Sequence, residues 1–329
     1  MRRRDFMAGV AGAAAAWPLR ADAQALSSVR HIGILSPFSP SIEPSPAFES
    51  FRLTLHDLGW TEGQNIVVDY RWAEGHADRL PKLATELAEL KPALIFSIWG
   101  TPGALAAKNA TSTIPIVFAG VGDAVGVGLV ASLARPGGNI TGSTFISEET
   151  ITKQLELLKE AVPKLVQVAI LVNLTNPVYG PVLAATEGPA KALYLQLQTL
   201  GVQRAEDFDI AFDAAARQHA DGLVVLRDPV IIINTSRLIE LAARRRLPTI
   251  YGMREFVDAG GLMSYGLNLR DMYRRAAHVV DKILRGADPI DVPVEQATRF
   301  ELVINLKAAT ALDLAIPPAL LLRADEVIE

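Results

Sequence analysis

The chain has 329 residues, half of them hydrophobic and 21% charged, which is material for two domains with cores of their own and too apolar for a disordered chain. Its 32 Lys and Arg stand against 36 Asp and Glu, a net charge of -4 with no long run of one sign, which argues against a nucleic-acid partner. Cysteine is absent, so disulfides, thiolate metal sites, cysteine nucleophiles and a lipid-bearing cysteine are all excluded.

Residues 1–25 read as an address. Met1-Arg2-Arg3-Arg4-Asp5-Phe6 is basic, residues 8–16 are short and weakly apolar, and Ala21-Asp22-Ala23 and Ala23-Gln24-Ala25 are small-x-small cleavage sites. The apolar run is far shorter than the roughly 20 residues that cross a bilayer. Arg3-Arg4-Asp5-Phe6 resembles a twin-arginine export signal. The expectation is an exported, soluble, periplasmic protein.

Beyond residue 29, β-rich runs alternate with helical patterns, the signature of βαβ units. Strands are predicted at 31–36, 66–71, 93–98 and 114–119, then at 140–146, 168–173, 193–198, 222–227, 249–252, 261–265 and 300–304. Several are near-continuous apolar runs, such as Gly222-Leu223-Val224-Val225-Leu226, as expected where helices cover both faces of a parallel sheet. Amphipathic helices are predicted at 80–90, 148–161, 235–246, 255–259, 270–285 and 306–314. The rhythm runs twice, on either side of the turn cluster Arg135-Pro136-Gly137-Gly138-Asn139. The fold class expected is α/β: two doubly wound parallel-sheet lobes joined by crossing strands, with a cleft between the strand ends. The first lobe is placed at 29–142 plus 266–295, the second at 143–265 plus 296–329.

Catalytic signatures are missing. There is no phosphate loop, no H-E-x-x-H, no G-x-S-x-G, and the five His are scattered, so neither an enzyme nor a metal or other cofactor is expected. Gly120-Val121-Gly122-Asp123-Ala124-Val125-Gly126 resembles a dinucleotide fingerprint with the third glycine misplaced, and reads better as a flexible loop entering a helix. What remains is a set of strand-end loops suited to a small ligand. Ser36 and Phe38 follow the first strand. Trp99, Gly100 and Thr101 follow the third, with Thr101 before Pro102 reading as an N-cap whose helix aims free N–H groups into the cleft. Gly122 and Asp123 follow the fourth. Asn173, Asp228, Tyr251 and Glu255 occupy corresponding places in the second lobe, and Tyr265 ends a strand at the junction. Asp123, Asn173 and Asp228 are equally natural helix caps. Trp99 and Phe38 are either pocket walls or hinge-side core, Glu255 either a ligand acceptor or a helix start, and Tyr265 either a contact or packing.

These loops carry a family resemblance along essentially the whole chain. It rests on Gly63-Gln64-Asn65-Ile66, Tyr70-Arg71-Trp72-Ala73-Glu74-Gly75, Ile114-Pro115-Ile116-Val117-Phe118 and Leu133-Ala134-Arg135-Pro136-Gly137-Gly138-Asn139-Ile140-Thr141-Gly142. It continues through Arg254-Glu255-Phe256, Gly260-Gly261-Leu262-Met263-Ser264-Tyr265-Gly266, Phe300-Glu301-Leu302-Val303-Ile304-Asn305 and Arg323-Ala324-Asp325-Glu326-Val327-Ile328-Glu329. The chain resembles the ABC transporter substrate-binding proteins that include tryptophan/tyrosine-type periplasmic components. That resemblance implies a type I periplasmic-binding-protein fold and a monomer that captures a small solute by hinge closure and delivers it to an inner-membrane permease. An amino-acid-like or aromatic carboxylate is the expected ligand; a sensor handing ligand to a signalling receptor, or an exported enzyme on the same scaffold, are the alternatives. The chain departs from the family at Trp99-Gly100-Thr101, where members often have a small glycine-rich loop, at Asp123-Ala124 in place of Asp-Pro, and at Asn173-Leu174 in place of Asn-Pro.

Overall fold

A computed structural model describes residues 29–40 and 45–329. The export leader expected over residues 1–25 lies outside the described residues. Two sheets organise the rest. The first contains β1 (Arg30–Ser36), β2 (Ile66–Trp72), β3 (Leu94–Ser97), β4 (Ile116–Gly122), β5 (Ile140–Phe145) and the two-residue β11 (Glu295–Gln296), in the order β11-β5-β4-β3-β1-β2. Every pairing in it is parallel. The second contains β6 (Gln167–Val172), β7 (Gln196–Gly201), β8 (Gly222–Val225), β9 (Thr249–Tyr251), β10 (Met263–Leu267), β12 (Phe300–Asn305) and β13 (Glu326–Ile328), in the order β13-β12-β10-β9-β8-β6-β7. Only β10 and β12 run antiparallel.

Twelve helices among the described residues connect these strands: α1 (Pro46–Asp57), α2 (Leu80–Glu89), α3 (Thr101–Ala110), α4 (Ser147–Ala161), α5 (Tyr179–Ala192), α6 (Asp207–Arg217), α7 (Pro229–Ile232), α8 (Thr235–Arg244), α9 (Arg254–Asp258), α10 (Leu269–Leu284), α11 (Leu306–Ala311) and α12 (Pro318–Leu321). Their starts follow local chemistry. Ser45 accepts from the Phe48 N–H at 3.1 Å ahead of Pro46, which supplies the pre-set φ of a first helical turn and lacks the N–H that turn would orphan. Asn268 caps α10 by accepting from the Asp271 N–H at 2.9 Å.

The period-2 alternation of strands divides the core into layers. Ile32, Ile34 and Phe96 face α1 and α10, where they meet Phe48, Phe51 and Tyr273. Their neighbours Leu35, Ile95 and Phe118 face α2 and α3, where they meet Leu83, Leu87 and Ala107. In the second sheet Ala169, Leu171 and Val225 pack with Phe208, Phe212 and Leu238, while Val168, Ile170 and Val224 pack with Leu155, Leu158 and Val182. The chain passes between the sheets three times: after Phe145, after Leu267, and between Gln296 and Phe300. α10 returns to pack on α1, on the face of the first sheet.

Several predicted elements shift. The strand expected from residue 193 starts at Gln196, because Leu193 still caps α5 and Tyr194 turns through the left-handed region at φ 58°. Gly120 to Gly122 are strand, not loop, and no helix follows before β5, so the fourth unit lacks its helix. Thr101 is not the N-cap of α3; Gly100 is, at φ 94°, with Thr101 and Pro102 inside the first turn. The short strands β11 and β13 carry no pattern that the sequence reading could detect.

Phe96 is fully buried and stacks on Phe51 at 4.6 Å between centroids. Phe96→Ala is expected to cost about 3–5 kcal/mol of stability through lost transfer energy and the cavity left behind, measured as a fall in the urea midpoint at unchanged slope.

Candidate functional site

The two sheets meet with their strand ends facing one another, and the second lobe comes close to the first. A Cβ built on Gly122 would lie 2.5 Å from the Ser147 hydroxyl and 3.0 Å from a Val178 methyl; one on Gly120 would lie 3.4 Å from Arg227 Nη2. At 122 a side chain would block that approach; at 120 the φ of 70° and Met272 Sδ, 2.9 Å from such a Cβ, are what favour glycine. Two cavities remain in the cleft. One, of ≈ 380 Å³, is bounded by Trp99, Gly100, Thr101, Gly120 and Gly122 from the first lobe and Asn176, Val178, Asp228 and Ile232 from the second. The other, of ≈ 340 Å³, is bounded by Ser147, Ile151, Gln154, Leu226, Gly252, Gly266 and Leu267. Phe145, Tyr179 and Arg227 border both.

Arg227 is the central group. It stands two residues beyond the end of β8, and its guanidinium carbon sits 4.9 Å from the Phe145 ring centroid, a cation–π contact with the last residue of β5 in the other sheet. Nε and Nη1 are enclosed and have no hydrogen-bond partner. Burial lowers its pKa from the ordinary value while Tyr179, Glu255 and Tyr273 counteract; an arginine still keeps its proton at such a site. The Tyr179 hydroxyl donates to the Arg227 carbonyl, which fixes the backbone from which the side chain projects, and burial, with the nearby Asp228 charge, raises the Tyr179 pKa. The Ser147 hydroxyl and Gln154 Oε1 are likewise enclosed without partners. Unmet donors and acceptors thus converge on one cavity system, an arrangement that costs stability unless something polar enters.

Among the described residues, Asp228 is the only carboxylate bordering these cavities. It caps α7 through the Val230 N–H at 3.2 Å and accepts from Asn173 Nδ2 at 3.0 Å and Asn176 Nδ2 at 3.3 Å. Burial raises its pKa, and those three hydrogen bonds oppose the shift. On the opposite wall, the N-terminus of α3 has no side-chain cap, leaving the backbone N–H groups of its first turn at the cavity.

The residues singled out from the sequence divide accordingly. Trp99, Gly100, Thr101, Gly122 and Asp228 border the cleft cavity, and Asn173 supports Asp228 from behind. Ser36 and Phe38 are buried just outside it: the Ser36 hydroxyl accepts from the Phe38 N–H at 3.1 Å, and Phe38 packs edge-on against Trp99 at 5.0 Å. Four fall elsewhere. Asp123 is exposed and its carboxylate accepts from the Gly126 N–H at 2.9 Å, closing a turn. Tyr251 is core, stacked on Phe256 at 4.8 Å with its ring under Gly261. Tyr265 stacks on Phe300 at 5.7 Å, off the cavity. Glu255 lies in α9 of the second lobe, off both cavities, where burial raises its pKa and Asp258 and Glu301 add to the shift while Arg227 opposes it. Arg227, Phe145, Tyr179, Ser147 and Gln154 were missed. A lone Arg before Asp-Pro has no distinctive spacing; the available signal was a charged residue ending an apolar strand run. A larger depression of ≈ 720 Å³ lies on the outer face between α1 and β2, but none of the residues around it holds an enclosed, unpartnered polar atom.

The chain belongs to the ABC transporter substrate binding protein family, whose model matches residues 46–328. It is similar to a tyrosine-binding protein of Clostridioides difficile, 29% identical over 276 residues, 84% of this chain and 78% of the relative. Among solved structures, a conserved domain protein of Vibrio cholerae superposes with a TM-score of 0.83 at 28% identity, covering 91% of this chain and all of that one. A domain from Streptococcus pneumonia in complex with L-Trp superposes at 0.82 with 23% identity, covering 92% of this chain and all of that one. The architecture is that of type I periplasmic binding proteins, two parallel-dominated sheets flanked by helices, and this chain is a substrate-binding protein. Among the described residues no helix is long and apolar enough to cross a membrane.

Glu255 offers a test of the electrostatics of this buried cluster. With a folded pKa above the ordinary glutamate value, its burial costs nothing while both states are protonated and is felt fully once pH exceeds the folded pKa. Glu255→Gln should therefore raise the melting temperature at pH 7, and the gain should shrink to nothing as pH falls to about 4. Melting curves across that range check the sign.

Proposed function

We propose that this protein is the exported receptor of an ABC importer and that it binds a small carboxylate, amino-acid-like or aromatic, in the cleft between its lobes. The observation that carries the reading is Arg227: a guanidinium held against Phe145 with two enclosed nitrogens and no protein acceptor. A carboxylate, which accepts charge-assisted hydrogen bonds, is the partner that a buried guanidinium with unmet N–H groups calls for. The uncapped first turn of α3 faces the same cavity and adds a positive dipole end from the opposite lobe. An anion bound here bridges both lobes, so its binding energy favours the closed arrangement, and closure is what a permease reads.

The rest of the cleft suits a ligand that also carries a donor. Asp228 uses three of its roughly four lone-pair positions on Asn173, Asn176 and Val230, leaving one for an ammonium or hydroxyl. Ser147 and Gln154 offer further polar contacts. Micromolar affinity requires about 8 kcal/mol net, within reach of one charge-assisted contact, a helix terminus and closure over apolar walls. The leader-like residues 1–25 support export to the periplasm, where such a receptor would meet its solute.

Arg227→Ala leaves the ligand carboxylate buried without its counter-charge, a loss of about 3 kcal/mol, or roughly 100-fold in affinity. The unliganded variant should melt no lower than the parent, since an enclosed, unpartnered cation has been removed. Thermal-shift screening of amino acids and aromatic acids, followed by calorimetry on the hits, checks both. If the variant binds the hits as tightly as the parent does, the carboxylate assignment is wrong.

A further inference from the structure

Trp99 occupies a backbone conformation that its own side chain disfavours. At φ 62° it lies in the left-handed region, immediately before Gly100 at φ 94°. For a bulky L-residue that conformation costs on the order of 1–2 kcal/mol, whereas glycine would adopt it freely. The β3-to-α3 turn itself needs no side chain there. The indole is held by packing: edge-on to Phe38 at 5.0 Å and 76°, and to Tyr273 at 6.2 Å and 68°. Both partners are buried to within 1% exposure, so the ring cannot swing aside without disrupting the core beneath it. Its remaining surface borders the cavity that contains Arg227, Asp228 and the N-terminus of α3. Little room is left between the indole and Arg227, and little in the compartment beyond Arg227.

We infer that Trp99 sets ligand size. Its rigid indole fills the volume into which a ligand ring would extend from a carboxylate on Arg227, and so restricts the site to short, ringless carboxylates. This rests on the carboxylate reading of Arg227 and narrows it. The strained backbone fits this role, because the fold retains a side chain whose conformational cost a glycine would avoid, and places it where it shapes the cavity. A ring-bearing ligand could enter only by displacing the indole, and the buried Phe38 and Tyr273 leave it no alternative position.

The test compares the parent, Trp99→Gly and Trp99→Phe by calorimetry against two probe sets: L-alanine, L-serine, lactate and propionate without rings, and L-tryptophan, L-tyrosine, phenylacetate and indole-3-acetate with them. Near-UV circular dichroism and melting curves confirm that each variant is folded. The expected result is a parent that binds at least one ringless acid and no ring-bearing one. Trp99→Gly should gain at least ~10-fold for ring-bearing acids while its affinity for ringless acids changes little, the discrimination a filled or vacated apolar volume supports. Trp99→Phe should fall between, and carries the comparison alone if the glycine variant does not fold. A parent that binds ring-bearing acids as tightly as ringless ones overturns the inference, as does an unchanged preference in both variants. Parent and variants that bind no carboxylate of either set instead overturn the Arg227 reading on which it stands.

Discussion

A guanidinium removed from water must be compensated, and in this protein the compensation is incomplete. Arg227 rests on the face of Phe145, an interaction worth about 0.5–2 kcal/mol, while two of its nitrogens have no acceptor. Asp228, the adjacent residue, is turned away to cap α7 and to accept from Asn173 and Asn176. The fold therefore holds a cation poised between two lobes and withholds from it the neighbouring carboxylate that would neutralise it. Much of the surrounding structure serves to maintain that position: Tyr179 holds the Arg227 carbonyl, and Gly122 of β4 lets the second lobe come near enough for the contact with Phe145.

The second lobe shows the same economy of charge beside one crossing. Arg254 bonds Asp258 and Glu326, and lies 3.8 Å from Glu301, which in turn accepts from Asn268 at the crossing into α10. One partly buried cation thus ties together α9, β12 and β13 within the second lobe. Glu255 sits beside this cluster with an unpartnered oxygen and like charges near it. Such groups raise the free energy of the folded state that encloses them.

The alternating and continuous apolar runs were readable because strand and helix periods are local properties of the chain, and nearly every strand predicted from them is present within a few residues. The misplacements have local causes that the pattern could not show. Leu193 to Leu195 are apolar but finish a helix whose end is made by the left-handed Tyr194. Gly120 to Gly122 look like a loop yet run as strand, because β5 pairs alongside and the second lobe needs the space a side chain at 122 would take. Two- and three-residue strands such as β11 and β13 exist only because a neighbouring edge is there to pair with.

The amino-acid order alone determined the α/β class, the doubling of the fold, and the positions of the loops at the strand ends, since these follow from periodicity, turn residues and caps. It also carried the family resemblance. Tertiary structure decided which side chains on those loops share a cavity. Asp123 and Tyr251 occupy loops and strand ends of the right kind but face solvent and core, whereas Arg227 and Phe145, far apart in the chain, meet face to face. Whether a charge finds a partner depends on which distant residues the packed lobes bring within a few ångströms of it, and no local pattern in the chain encodes that distance.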